Sequence, residues 1–281
     1  VSEQQSPPFR RRRLGRTLRD LRESARMSPA EVCARLEFSP ARLSRMENGQ
    51  TAPDIVIVKS LLDEYGIPVN DWEPYLELAR EAKQKGWWQA HGLPAMGYVA
   101  LEAAANSVWD FALAYVPGLL QSRGYVEAVL RASTLRRTEQ QVQDQIAVRM
   151  RRQHRLLSED GGLELIAVVD EGVLHRTVGG LEVMRDQLRH ITNLAATPTV
   201  TVHVVPSTVG VHVGMEGAFT VLAFPEADDP DIAYLEHVTG ALQLEKKDEV
   251  RACRLTFELL RNQALDPTDS IGLIKRLAQE M

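Results

Sequence analysis

Cysteine is scarce in this chain: two in 281 residues, Cys33 and Cys253, far apart and both within helical patterns. That excludes a disulfide framework. Cys33 sits at a small inward position and reads as a buried hydrophobe rather than a redox sensor. No apolar run approaches the roughly 20 residues of a membrane span, and the first residues lack the apolar stretch of a secretory signal. A reduced, cytoplasmic setting is the expectation. Catalytic signatures are missing as well. There is no His-Glu-x-x-His or paired-cysteine spacing, no nucleophile elbow and no phosphate-binding loop. His175, His203, His212, Glu216, Glu236 and His237 remain as isolated candidates, so no enzyme, no metal and no cofactor is expected.

An excess of basic charge is also absent, with 33 Lys+Arg against 38 Asp+Glu and a net charge of −5. Taken as a total, this argues against nucleic acid. The distribution reverses it: residues 1–50 hold eleven arginines against six acids, a net of +5, and the remainder carries −10. Basic charge is confined to one end. Arg10, Arg11, Arg12 and Arg13 form a run there, preceded by Ser-Gln-Pro-rich sequence without a core pattern. Residues 1–13 therefore read as a flexible arm that follows phosphates or enters a minor groove, or as a plain solvated tail.

Beyond the arginine run the pattern is definite. Leu14, Leu18 and Leu21 share one face of a helix over residues 14–25. A second helix opens at Ser28-Pro29-Ala30-Glu31 with a Ser N-cap, a Pro at the first helical position and a Glu three residues on, a capping box. It points Val32, Cys33 and Leu36 inward. A third opens at Ser39-Pro40, carries Leu43 and Met46 inward and stops at Asn48-Gly49. Helices this short need a surrounding bundle, which the pattern Ile55, Val58, Leu61, Leu62 supplies. The expected domain spans residues 14–85, with a trailing helix over 72–85.

These residues resemble the lambda-repressor-like (XRE-type) helix-turn-helix regulators, in the register Leu18, Leu21, Arg22, Ser28, Glu31, Val32, Cys33, Ser39, Leu43, Arg45, Glu47, Gly49, Pro53. The resemblance implies an ion pair between Arg22 and Glu47 that clamps the first helix to the third. It also implies that the helix from Ser39 enters a major groove, with Pro40, Ala41, Arg42 and Arg45 nearest the DNA and Ser28, Ser39 and Ser44 beside them. Arg42 and Arg45 are the expected readers, because a guanidinium can pair bidentately with guanine O6 and N7. Two residues depart from the family pattern. Pro29 stands where a phosphate-contacting glutamine is common, and Glu37 where a turn glycine is usual, implying strain at a positive φ or a differently shaped turn.

Residues 86–281 read as a second, α+β domain. Helical patterns run over 101–115, 125–131, 138–158 and 181–196, and two more helices come after Leu244. Strands are expected over 163–169, 199–205, 218–224 and 231–237, where β-branched residues gather. The short later connections imply a mainly antiparallel sheet. The arginines of the long helix (Arg149, Arg151, Arg152, Arg155) fit a second DNA contact or, more commonly, a solvated or acid-paired face. Gly86-Trp87-Trp88, the run Tyr115-Val116-Pro117-Gly118-Leu119-Leu120-Gln121, Asp170-Glu171, Val178-Gly179-Gly180 and Phe219-Thr220-Val221-Leu222 resemble the C-terminal domain of actinobacterial WhiJ-like regulators. That family implies a regulator, often with a small protein encoded next door in an antitoxin-like arrangement.

The expectation is thus a sequence-specific DNA-binding transcriptional regulator, nucleoid-associated and dimeric. It would act as a repressor on a pseudo-palindromic operator in double-stranded DNA. Its second half would sense a small-molecule effector or a small partner protein, with Trp87, Trp88, His212, Glu216 and Tyr234 as the candidate site. Trp87 and Trp88 fit a ligand platform or, more simply, domain cement. Residues 209–217 fit a ligand-gated flap or, more simply, a connection between strands. The alternative is a protein-interaction module that captures a small partner, with DNA binding secondary.

Overall fold

The computed structural model describes residues 7–94, 97–158, 162–225 and 229–281. The chain divides into two compact units, Val1–Ala104 and Ala105–Met281.

The first unit is helical: α1 (Pro7–Ser24), α2 (Pro29–Leu36), α3 (Pro40–Glu47), α4 (Ile55–Glu64), α5 (Glu73–Ala82) and α6 (Tyr98–Glu102). Its core gathers Leu14, Leu18, Val32, Cys33, Leu43, Met46, Val58, Leu61 and Leu62, joined by Tyr65, Leu76, Ala79 and Ala82. Fully burying each large side chain contributes about 1.5–3 kcal/mol, which is how helices of eight residues persist here. Gly15 lets α1 lie directly on the end of α3, since a Cβ there would fall 2.5 Å from the Met46 carbonyl oxygen.

Two expectations need correction. The first helix begins at Pro7 and not at Leu14, so residues 7–13 are two helical turns and not a flexible arm. Burial explains it: Phe9 and Arg10 are both enclosed, and Arg10 hydrogen-bonds Gln84 and pairs with Glu81. Residues 1–6 lie outside the described residues. The stretch from Gly86, grouped on sequence with the second domain, falls largely in the first unit, because Trp88 is buried there and α6 packs on α1.

The second unit is a six-stranded sheet flanked by helices. In chain order it contains β1 (Ser107–Ala112), α7 (Arg123–Ala132), α8 (Glu139–Gln153), β2 (Glu164–Asp170), α9 (Glu171–His175) and α10 (Leu181–Leu194). The chain continues through β3 (Val200–Val205), β4 (Phe219–Ala223), β5 (Ile232–His237), β6 (Gly240–Leu244), α11 (Lys247–Gln263) and α12 (Pro267–Glu280). The strand order is β3-β2-β1-β4-β5-β6. The sheet is mixed: β1, β2 and β3 are parallel, and β4, β5 and β6 continue it antiparallel. The short late connections do give antiparallel pairs. Within the parallel half, β2, α10 and β3 match the expected strands 163–169 and 199–205 around a helix over 181–196, a crossover that the antiparallel expectation overlooked, whereas residues 101–115, which pattern as a helix, contain β1. Ala-rich sequence favours a helix there, and pairing on both sides with β2 and β4 overrides it. β6 is equally hard to read, since Gly-Ala-Leu-Gln-Leu holds no β-branched residue. On the α11 side of the sheet Phe111, Val168, Val221 and Ala233 meet Val250, Phe257 and Leu260. The neighbouring residues Val108, Leu165, Ala167 and Val169 are buried on the opposite face, so the central strands read as apolar runs without alternation.

Candidate nucleic-acid interface

The interface begins with two caps. Ser28 accepts a hydrogen bond from the Glu31 N–H, and Glu31 accepts from the Ser28 N–H at 2.7 Å, closing the capping box of α2. Ser39 caps α3 the same way, accepting from the Arg42 N–H. Both serines hold helix ends. Between them Glu37 adopts φ 55°, ψ 37° and donates its N–H to the Cys33 carbonyl, so the turn keeps a left-handed residue where glycine would carry no Cβ cost.

α3 then sorts its side chains by face. Leu43, Met46 and Glu47 are buried, whereas Pro40, Ala41, Arg42, Ser44 and Arg45 are exposed. An apolar underside and a short polar upper face suit a helix laid in a groove. The two arginines differ. Arg42 stacks its guanidinium over the Phe38 ring at 4.5 Å, which orders it, while Arg45 has no side-chain hydrogen bond or ion pair among the described residues.

The helix is held from below by a charge pair. Arg22 of α1 donates from Nε to Glu47 Oε1 at 2.7 Å and from Nη2 to Oε2 at 3.0 Å, a bidentate bond between two buried side chains. Its Nη1 donates to the Met27 carbonyl at 3.0 Å. The hydrogen bond to Glu47 raises the Arg22 pKa above its ordinary value. Arg19 stands 3.5 Å from the same carboxylate. Thus one side chain ties α1 to the turn after it and to the end of α3.

The arginine run contributes less than its count suggests. Arg10 is buried against α5, burial pushes the Arg11 pKa down, and Arg12 packs against Gly49, where a Cβ would fall 2.6 Å from the Arg12 Cα. Arg13 is half-buried. The run is the inner face and flank of α1.

The proposed effector residues divide between the two units. Trp87 and Trp88 belong to the first unit, where the buried Trp88 indole donates to the Pro94 carbonyl at 3.0 Å and meets Trp87 edge-on. His212, Glu216 and Tyr234 belong to the second. The imidazole of His212 is enclosed, its Nε2 3.2 Å from Asp170 and its Nδ1 accepting from the Gly214 N–H, with Phe111 edge-to-face. Those bonds pin residues 212–214 to the end of β2. Glu216 is exposed, and Tyr234 lies on β5 opposite Thr220. An open groove of about 510 Å³, lined by Val200, Val202, Pro267, Ile271 and Lys275 among others, contains none of these five. Among the described residues no three His, Cys, Asp or Glu side chains gather to hold a metal, and no helix is long and apolar enough to cross a membrane.

A feature without a sequence signal lies under residues 116–122. Gln121 donates to the Val116 carbonyl, Gln153 to the Gln121 carbonyl, and Gln187 to the Leu120 carbonyl while accepting from the Ser122 N–H. His190 joins through Gln153 at 3.1 Å, with its pKa lowered by burial, and Arg149 donates to Gln121. Three buried glutamines stand in for backbone partners of the loop after β1. Spacing along a helix does not distinguish such glutamines from solvated ones.

Against this geometry the comparisons with known proteins are limited. Residues 13–73 match a helix-turn-helix domain, and residues 96–276 match a domain of unknown function, DUF5753. No curated protein and no solved structure matches the chain. The helix-turn-helix domain marks a DNA-binding regulator.

Proposed function

The chain belongs to the DUF5753 family, and from that premise we propose that it is a sequence-specific transcriptional regulator of the WhiJ-like kind, a dimeric repressor whose second unit receives the signal. The observation that carries the reading is α3. It is clamped from beneath by Arg22 and Glu47 and presents Ala41, Arg42, Ser44 and Arg45 outward, one arginine stacked and one unengaged among the described residues. Arg45 reads a guanine edge, Arg42 lies over an adjacent base or phosphate, and Ala41 touches a thymine methyl. A single short reading helix makes few base contacts. Two of them on a pseudo-palindrome gain from effective concentration, hence the dimer. The second unit answers to a small molecule or a small partner protein and is not catalytic. Repression results from a dimer covering a promoter. The reading places the protein with the nucleoid in the cytoplasm.

The test is fluorescence anisotropy of the full chain on its own upstream DNA and on scrambled DNA of equal length, across a salt series. The expected result is a preference of at least about 1,000-fold for the upstream sequence, together with a steep salt dependence. Equal, weak binding to both would sink the DNA reading and bring forward the capture of a small partner by the acidic second unit.

A further inference from the structure

The two edges of the sheet are treated differently. At β3 the edge is covered: Leu265 donates its N–H to the Val204 carbonyl at 2.8 Å, Ser270 Oγ accepts from the Val204 N–H at 2.9 Å, and His203 meets the Leu265 carbonyl. At β6 no described residue supplies an outer backbone partner.

Register fixes what β6 offers. The two-residue turn Val238-Thr239 closes the β5–β6 hairpin, pairing His237 with Gly240, Leu235 with Leu242 and Ala233 with Leu244. In a hairpin closed by two residues the pair beside the turn is hydrogen-bonded, and such pairs alternate along the ladder. Gly240, Leu242 and Leu244 therefore bond to β5, and Ala241 and Gln243 turn their N–H and C=O groups to the open edge. The strand carries none of the usual protections, because the stretch from Val238 to Leu244 contains no charge and no proline, and Leu242 remains 54% exposed.

We infer that β6 is the dimer edge, pairing antiparallel with β6 of a second copy across a two-fold axis at Leu242. This rests on the dimeric regulator proposed above and names its interface. The register selects a second copy as the occupant. With Leu242 opposite itself, Ala241 falls opposite Gln243 of the second copy and Gln243 opposite its Ala241, so four outward-facing groups on each strand find partners in two hydrogen-bonded pairs. Registers centred on residue 241 or 243 leave one of those pairs without a strand partner. Charge agrees with this choice. Every charge on one copy is repeated on the other, and the uncharged stretch from Val238 to Leu244 meets its own copy without repulsion. At the flanks Glu245 falls opposite Thr239 of the second copy and Lys246 opposite its Val238, so neither faces a like charge. The product is one continuous twelve-stranded sheet, closed by symmetry and with no open β6 edge left.

The experiment is sedimentation equilibrium of the full chain from about 1 to 100 µM, a range that brackets a short edge-to-edge contact. The expected mass is twice the 31.4 kDa of one chain at the upper end. Leu242→Lys sets two ammonium groups face to face at the axis and should raise the dissociation constant at least about 10-fold. Gln243→Pro deletes one outward N–H from each copy and should do the same, and both variants should keep the wild-type circular dichroism spectrum and melting transition. A wild-type chain that stays monomeric throughout would overturn the inference and leave the edge to a strand from another protein. So would a dimer that both substitutions leave intact. The anisotropy titration separates the two readings: specific DNA binding by a monomer removes the edge and keeps the regulator, whereas a β6 dimer indifferent to DNA sequence removes the regulator and keeps the edge.

Discussion

The two units use polar side chains in opposite directions. In the first, the buried Arg22–Glu47 pair holds α3 from below while Arg42 and Arg45 on that helix face solvent. In the second, neutral amides are turned inward, and Gln121, Gln153 and Gln187 hold the loop after β1. The difference separates two ways of building rigidity. A reading helix requires orientation, which a bidentate pair supplies from one point. A loop at the end of a parallel strand requires every buried backbone group answered, and amides, with a donor and an acceptor each, do that without stranding a charge.

The sharpest way to break this contrast is Arg22→Ala. It strands the Glu47 carboxylate in a buried site, a change that costs about 3–5 kcal/mol where nothing compensates. Arg19, at 3.5 Å from that carboxylate, moves the expected loss to the low side of that range. Urea unfolding should show the first unit melting early while the second keeps its midpoint. A shared, unshifted transition would show that the pair does not hold α3. Next in size is Gln187→Leu, which leaves the Leu120 carbonyl and the Ser122 N–H unpaired; about 2–3 kcal/mol should be lost from the second unit. Thermal unfolding measures it, and specific DNA affinity at room temperature should be unchanged if the network serves only the loop.

Arg45→Ala should cost about 1–3 kcal/mol on specific DNA and relax preference at one base pair, with little effect on scrambled DNA. Equal losses on both would reassign Arg45 to phosphate. The smallest effect is expected at Glu37. Its φ of 55° carries a Cβ penalty that glycine lacks, so Glu37→Gly should stabilise the first unit by roughly 1 kcal/mol, read as a raised urea midpoint. A lowered midpoint would mean that the glutamate side chain, and not the turn geometry, is what matters there.

How far these features are legible in the sequence depends on the range of the interactions. Ser28-Pro29-x-Glu31 and Ser39-Pro40 announce the starts of α2 and α3, because a cap is made within four residues. Pro7, at the first position of α1, is the same kind of signal, masked by the Ser-Gln-Pro-rich surroundings and the arginine run. Trp88 reads as cement in either place, and only its contacts assign it to the first unit. β1 and β6 carry weak strand signals, one lying in Ala-rich sequence and the other lacking β-branched residues. The β1–β2 crossover disappears with β1, since a crossover cannot be seen when one of its strands reads as a helix, whereas strands 163–169 and 199–205 around the helix over 181–196 already spell the parallel β2–β3 pair.

The helix-turn-helix is encoded locally: short capped helices, their inward apolar stripe and the outward arginines all come from residue spacing, and the basic charge is confined to residues 1–50. Packing at long range was needed to bury Arg10 beside Glu81, to make residues 107–112 a central strand, to tie His212 to Asp170, and to cover the β3 edge while leaving β6 open. Each of these depends on groups distant in sequence, whose meeting no propensity encodes. Burial and pairing are properties of the whole packed chain, whereas a cap or an amphipathic stripe is complete within one turn or two.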